Sequence, residues 1–240
     1  MSIWGKLAGA AAGLAIGGPV GAIIGAVAGH YAIDRERGEV AAPDRQIAFT
    51  IGVIALGAKM AKADGVVTRD EVAAFRQVFQ VPKSEVENVA RIFNLAKGDT
   101  AGFDAYAAQL AQMFGPRAKI LEDVLDGLFH IAKADGVVHP AERRFLGQVA
   151  RRFGFGEAEF ARISARHVEP EATDPYVVLG IPREAGNGEI KKHYRRLVRD
   201  NHPDQLVARG VPEEFVMIAN DRLARINDAY DRIQKERGFA

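Results

Sequence analysis

The stretch that decides the fold is EIKKHYRRLVRDNHPD, Glu189 to Asp204. At 100° per residue, Lys191, Lys192, Arg195, Arg196 and Arg199 fall on one arc of a helix. Ile190, Tyr194, Leu197 and Val198 fall on the opposite arc. The apolar arc suits docking on a neighbouring helix, which leaves five cations aimed outward from a rigid element. Pro203 biases His202 away from the helical region, so the helix is expected to stop there. His202-Pro203-Asp204 then becomes an exposed tripeptide at the tip of a basic helix. Taken alone, the cations read as a solvated face and the tripeptide as an ordinary turn.

The flanks change that reading. Upstream stands Asp174-Pro175-Tyr176-Val177-Val178-Leu179-Gly180-Ile181, and downstream Ala224-Arg225-Ile226-Asn227-Asp228-Ala229-Tyr230. Together these segments resemble the J domain of DnaJ-type co-chaperones. That module has a short first helix, a basic second helix, a His-Pro-Asp loop and a third helix antiparallel to the second. The resemblance covers residues 174 to 238 with its parts in order. It implies a DnaK-type chaperone as partner and stimulation of that partner's ATP hydrolysis. It also implies that Asp204 and the basic helix engage the chaperone, while His202 and Pro203 hold the loop geometry. The segment Leu206-Val207-Ala208-Arg209-Gly210 lies in an expected loop, Gln205 to Pro212, that is longer than in the commonest J pattern.

Bulk composition narrows the alternatives. The 240 residues make room for one to two domains. A net charge of +1 supplies no global basic field for nucleic acid. The absence of cysteine excludes disulfides, thiolate metal sites and a cysteine nucleophile. It also removes the zinc module of full-length DnaJ-type proteins. No nucleophile-base constellation, phosphate loop or metal triad is legible, so neither catalysis by this chain nor a bound cofactor is expected.

Residues 7 to 29 carry no charged side chain. As a helix they would run ~35 Å, enough for a hydrocarbon core of about 30 Å. With only Lys6 ahead of it, the run reads as a retained anchor rather than a cleaved signal peptide. Glycine recurs at every fourth position, at Gly5, Gly9, Gly13, Gly17, Gly21, Gly25 and Gly29. That spacing lays small residues along one ridge, so two backbones can approach closely, and a homodimer through Gly17, Gly21, Gly25 and Gly29 is expected. Gly18-Pro19 either kinks one span or opens a hairpin of two short helices; halves that short cannot cross, which favours one kinked span. Trp4-Gly5-Lys6 and Gly29-His30, with Asp34 beyond, resemble the anchor of the membrane-bound DnaJ-like proteins called DjlA. The resemblance implies a bacterial inner-membrane protein with a short periplasmic N-terminus and a cytoplasmic remainder. Arg35, Arg37 and Arg45 outnumber Lys6, as the positive-inside tendency requires.

Residues 34–45 are charged, contain Gly38 and Pro43, and read as a linker. Residues 46–166 read as all-helical. Apolar residues recur at helical spacing, as in Ile47, Ile51, Ile54 and Ala58, and breakers divide the segment into about seven helices. Ala61-Lys62-Ala63-Asp64-Gly65-Val66-Val67 recurs verbatim as Ala132-Lys133-Ala134-Asp135-Gly136-Val137-Val138. The pattern resembles the TerB-like domain, named for tellurite-resistance proteins, which DjlA proteins carry between anchor and J domain. Asp64, Glu71, Asp135 and Glu142 admit two readings. As a carboxylate cluster they would suit calcium or magnesium. As local structure, Asp-Gly closes a helix, Thr68 with Glu71 forms a capping box, and His139-Pro140 with Glu142 starts a helix. The calcium-hand spacing is absent, which favours capping.

The chain is thus expected to be all-α. A glycine-zipper transmembrane anchor occupies 1–33, a linker 34–45, a TerB-like bundle 46–166, a second linker 167–173 and a J domain 174–240. Of the six histidines only His202 sits in a motif. The function implied is that of a membrane-anchored regulatory co-chaperone. The alternatives are a cation- or stress-sensing membrane protein whose J domain only recruits the chaperone, and a pore-forming glycine-zipper protein.

Overall fold

The computed structural model describes residues 42–63, 73, 75, 86–98, 102–134, 136–168, 172–208 and 216–239. The described residues are helical and contain no strand. The expected anchor and its glycines Gly17, Gly21, Gly25 and Gly29 lie outside them, as do Asp64, Glu71 and Asp135.

The central domain is arranged around α1, Ala42–Ala63. Phe49, Val53, Ile54, Ala55, Leu56, Ala58 and Met60 are all fully buried, as in a helix that is apolar on every side. Around it pack α2 (Val86–Gly98), α3 (Phe103–Phe114), α4 (Lys119–Ala132) and α5 (Pro140–Arg152). A sixth helix, α6, runs Glu157–Ala165, and Ala73 and Phe75 are also helical. A Cβ on Gly52 would stand 2.5 Å from Leu110 Cδ1, so only glycine lets α1 and α3 approach this closely. The start of α1 corrects the expected linker, whose last residues, Ala42 to Arg45, are helical. Pro43 falls in the first turn, where a missing N–H costs no intrahelical bond.

The C-terminal domain is a helical hairpin with a short helix across it. Asp174 caps α7 (Pro175–Leu179) by accepting from the Tyr176 N–H at 3.0 Å. Then follow α8 (Asn187–Asp200), α9 (Pro203–Ala208) and α10 (Val216–Arg237). Contacts pair Asn201 with Arg222, Tyr194 with Asn227 and Asn187 with Arg237, so α8 and α10 run antiparallel. Ile190 and Leu197 are buried in their core, and Tyr194 stacks on Tyr230 at 3.8 Å between centroids. Helix α9 corrects the expected loop, since Gln205 to Ala208 are helical. Pro203 opens this helix, and the Gln205 N–H donates to the His202 carbonyl at 2.9 Å.

One face of α10 serves two cores. Ile218 and Ala219 belong to the apolar cluster of the central domain, whereas Ile226, Ala229, Tyr230 and Ile233 belong to that of the hairpin. At 100° per residue all six, together with Arg222, lie within an arc of about 120°. The stripe is therefore continuous, and its first turn docks on the central domain. A second contact joins α6 to α7, where a Cβ on Gly180 would stand 2.5 Å from Arg162 Cδ.

Candidate partner-docking site

Helix α8 ends as its sequence dictates. The Asn201 N–H closes the last turn on the Leu197 carbonyl at 3.0 Å. His202 and Asp204 stand out in solvent, their side chains 54% and 87% exposed, with Pro203 half-buried between them. The Asp204 N–H donates to His202 Nδ1 at 3.3 Å, which fixes the ring over the turn. The tripeptide is thus a rigid, accessible corner rather than a strand of free loop.

Lys192, Arg195, Arg196 and Arg199 are exposed along one side of α8. Arg196 donates to His193 Nδ1 at 2.8 Å, and His193 Nε2 donates to the Leu179 carbonyl at 2.8 Å. Lys191 differs from the expected outward cation. It is half-buried, with Nζ 5.5 Å from the centre of the Phe239 ring. Lys192, Arg195, Arg196, Arg199, His202 and Asp204 thus all remain exposed with α10 docked on the central domain.

Three comparisons bear on this arrangement. The family model described as DnaJ domain matches residues 174–237, that of Tellurite resistance protein TerB matches 50–165, and that of Co-chaperone DjlA transmembrane domain matches 1–46. The Co-chaperone protein DjlA of Shewanella oneidensis is 32% identical over the full length of both chains. That of Coxiella burnetii is 32% identical over 75% of this chain and 74% of its own, and that of Photobacterium profundum 29% over 82% and 80%. The chain belongs to the DjlA co-chaperone family. No solved structure matches it.

As a member of that family the chain is a J-domain co-chaperone with a transmembrane domain at its N-terminus. Among the described residues no helix is long and apolar enough to cross a membrane. The match to the DjlA transmembrane domain covers residues that are not described.

Between the TerB-like and J domains lies a buried ionic cluster that the sequence did not reveal. Glu122, Asp123 and Asp126 project from one face of α4, and all three are buried. Arg166, just past α6, reaches Glu122 through Nη2 and Asp126 Oδ2 through Nη1, the latter at 3.2 Å. Arg162 Nη1 stands 2.9 Å from Glu122 Oε1. His167 Nε2 is 2.6 Å from Asp126 Oδ1, and its ring stacks on Phe129 at 4.8 Å. From the J domain, Arg222 Nη2 lies 2.7 Å from Asp123 Oδ1 and 2.6 Å from Asp126 Oδ2. Burial pushes the Glu122 and Asp126 carboxyls up, but the neighbouring guanidiniums outweigh it and hold both well below the usual carboxylate range. Burial also pushes His167 below 6.5, more strongly than Asp126 raises it, so the neutral ring donates to the carboxylate. A cleft of about 600 Å³ opens beside the cluster, lined by His130, Lys133, Asp221, Arg222 and Arg225 among others.

In the sequence these carboxylates read as an ordinary solvated face. At 100° per residue the apolar residues of Ile120 to Phe129 fill one half of the helix, and Glu122, Asp123 and Asp126 lie together on the other. Arg162 and Arg166, one turn apart, and Arg222 of α10 supply the counter-charges. The remaining candidate, Glu142, accepts from the His139 N–H at 2.8 Å, the bond that a helix start requires. Its expected companions Asp64, Glu71 and Asp135 are not described, and among the described residues no three His, Asp or Glu side chains group as metal ligands.

Proposed function

We propose that this chain binds a DnaK-type chaperone and stimulates its ATP hydrolysis through His202, Pro203 and Asp204 and the basic face of α8. The observation that carries the reading is the exposed, internally braced tripeptide at the end of a helix whose cations Lys192, Arg195, Arg196 and Arg199 face solvent. The chain supplies no chemistry of its own; the ATP sits in the partner. Asp204 offers an exposed carboxylate to a cationic surface of the chaperone, and the α8 cations meet an acidic one. Residues 7 to 29 form one membrane span, with a short periplasmic N-terminus and the TerB-like and J domains in the cytoplasm. The glycines Gly17, Gly21, Gly25 and Gly29 pair two such spans into a homodimer.

The test uses the full chain reconstituted in lipid vesicles, mixed with a DnaK-type chaperone preloaded with ATP. Acceleration of hydrolysis that saturates with co-chaperone concentration supports the reading. A folded, inserted chain that leaves the hydrolysis rate unchanged would refute it.

A further inference from the structure

Arg222 has partners in two domains at once. Its Nη1 donates to Asn201 Oδ1 at 3.0 Å, within the J domain. Its Nη2 is held by Asp123 and Asp126 of the TerB-like domain, at 2.7 and 2.6 Å. Asn201 immediately precedes His202 and is itself buried. Its Nδ2 donates to the Leu197 carbonyl at 2.7 Å, so the side chain bridges the last turn of α8 and the guanidinium. Asn201 is therefore the footing of the His-Pro-Asp corner, and the footing leans on Arg222.

The chemistry of arginine makes this a transmitting contact. The guanidinium is planar, so the direction of Nη1 is set once Nη2 is fixed. The Asp123 and Asp126 carboxylates hold Nη2 by close ion pairing rather than by aligned hydrogen bonds, in a buried setting where charges attract strongly and solvent offers no substitute. We infer that Arg222 is a positioning residue through which the TerB-like domain sets the geometry of the His202-Pro203-Asp204 corner. The consequence for chaperone stimulation rests on the function proposed above; the mechanical link does not.

Three variants of the full chain separate the links of this relay. Arg222→Lys keeps a cation for Asp123 and Asp126 but cannot also hold Asn201 at a fixed angle. Asn201→Ala removes the footing itself. Asp123→Asn alters only the TerB-like side. Hydrogen exchange is read by mass spectrometry on peptides covering 197–208, and on peptides from α1 and α4 as a control for folding. Each variant is expected to raise exchange at 197–208 by about tenfold, the scale of losing a hydrogen bond to a charged group, with the α1 peptides unchanged. Arg222→Lys combined with Asn201→Ala should add little to either alone. In the stimulated ATPase reaction the maximal rate should fall while the half-saturating concentration stays near that of the parent, because the α8 cations are untouched. If Asp123→Asn and Arg222→Lys leave exchange at 197–208 as in the parent, the relay is overturned. If exchange rises but even the parent stimulates no chaperone, the relay stands and the proposed function falls.

Discussion

Arg222 of the J domain and Asp126 of the TerB-like domain meet in the dark of the junction, both side chains 1% exposed and Nη2 2.6 Å from Oδ2. Burial works against both charges, but Arg166 and then Arg222 hold the Asp126 carboxyl low, while Asp126, Asp123 and Glu122 together hold the Arg222 guanidinium high. Such a pair adds little net stability over an apolar contact of the same shape, but it fixes which surfaces dock and in what register.

Removing one member of the cluster should therefore be costly. Asp126→Ala takes a buried carboxylate from Arg222, Arg166 and His167 at once and leaves the junction with excess positive charge, and the expected loss is roughly 3–5 kcal/mol, the usual result of breaking a buried ion pair. Asp104→Ala, at an exposed pair with Arg152 of 2.7 Å, should cost at most about 1 kcal/mol. Urea unfolding of the two variants checks the contrast, and equal losses would show that the cluster is solvated in practice.

Acidification should loosen the same junction. His130 and His167 are held below 6.5 by burial, so the unfolded chain takes up their protons first as pH falls. Glu122 and Asp126, whose ordinary values are 4.5 and 3.8, are also held low. For all four groups the stabilisation is complete above the unfolded value and is lost as pH drops toward the folded one. The melting temperature is expected to be level above about pH 7, to fall below about 6.5, and to fall again below about 4.5. A melting temperature that rises between pH 7 and 5.5 would contradict this.

The basic face of α8 should act on encounter more than on residence. Charge reversal at Lys192, Arg195 and Arg199 is expected to slow association with the chaperone by about tenfold or more at low salt, and far less at high salt. Dissociation should change little. Association kinetics at two ionic strengths decide the matter, and an on-rate equal to the parent's at low salt would show that these cations are merely solvated.

What was legible in the sequence was what local chemistry writes locally. The α8 arcs, the stop at Pro203 and the His139-Pro140 helix start each follow from residues within one or two turns. Helix α9 was missed because Pro203 was read only as a stop, although it also opens a helix. The junction was missed for a different reason. Glu122, Asp123 and Asp126 are buried because α6 and α10 pack over them, α6 from about forty and α10 from about a hundred residues downstream, and nothing local marks Arg222 as a cation that meets them. His167, with no motif around it, becomes structural through Asp126 and Phe129, both distant in sequence.

The anchor yields a prediction of its own. Gly25→Leu should leave membrane insertion intact, since leucine is at least as apolar, but should hold paired backbones apart and abolish the dimer. Crosslinking in membranes reads the pairing, and carbonate extraction reads the insertion. Undiminished crosslinking of Gly21→Leu and Gly25→Leu chains would remove the glycine ridge as the contact surface.

The most direct test of the His202-Pro203-Asp204 corner is single-turnover ATP hydrolysis by a DnaK-type chaperone in the presence of His202→Gln. The substituted side chain is exposed, so the variant should fold, dock its domains and melt as the parent does. It is expected to lose the parent's stimulation almost completely, leaving the rate within about twofold of the chaperone alone. Stimulation by the folded variant equal to that of the parent would contradict the claim that the His202-Pro203-Asp204 corner is the working end of this protein.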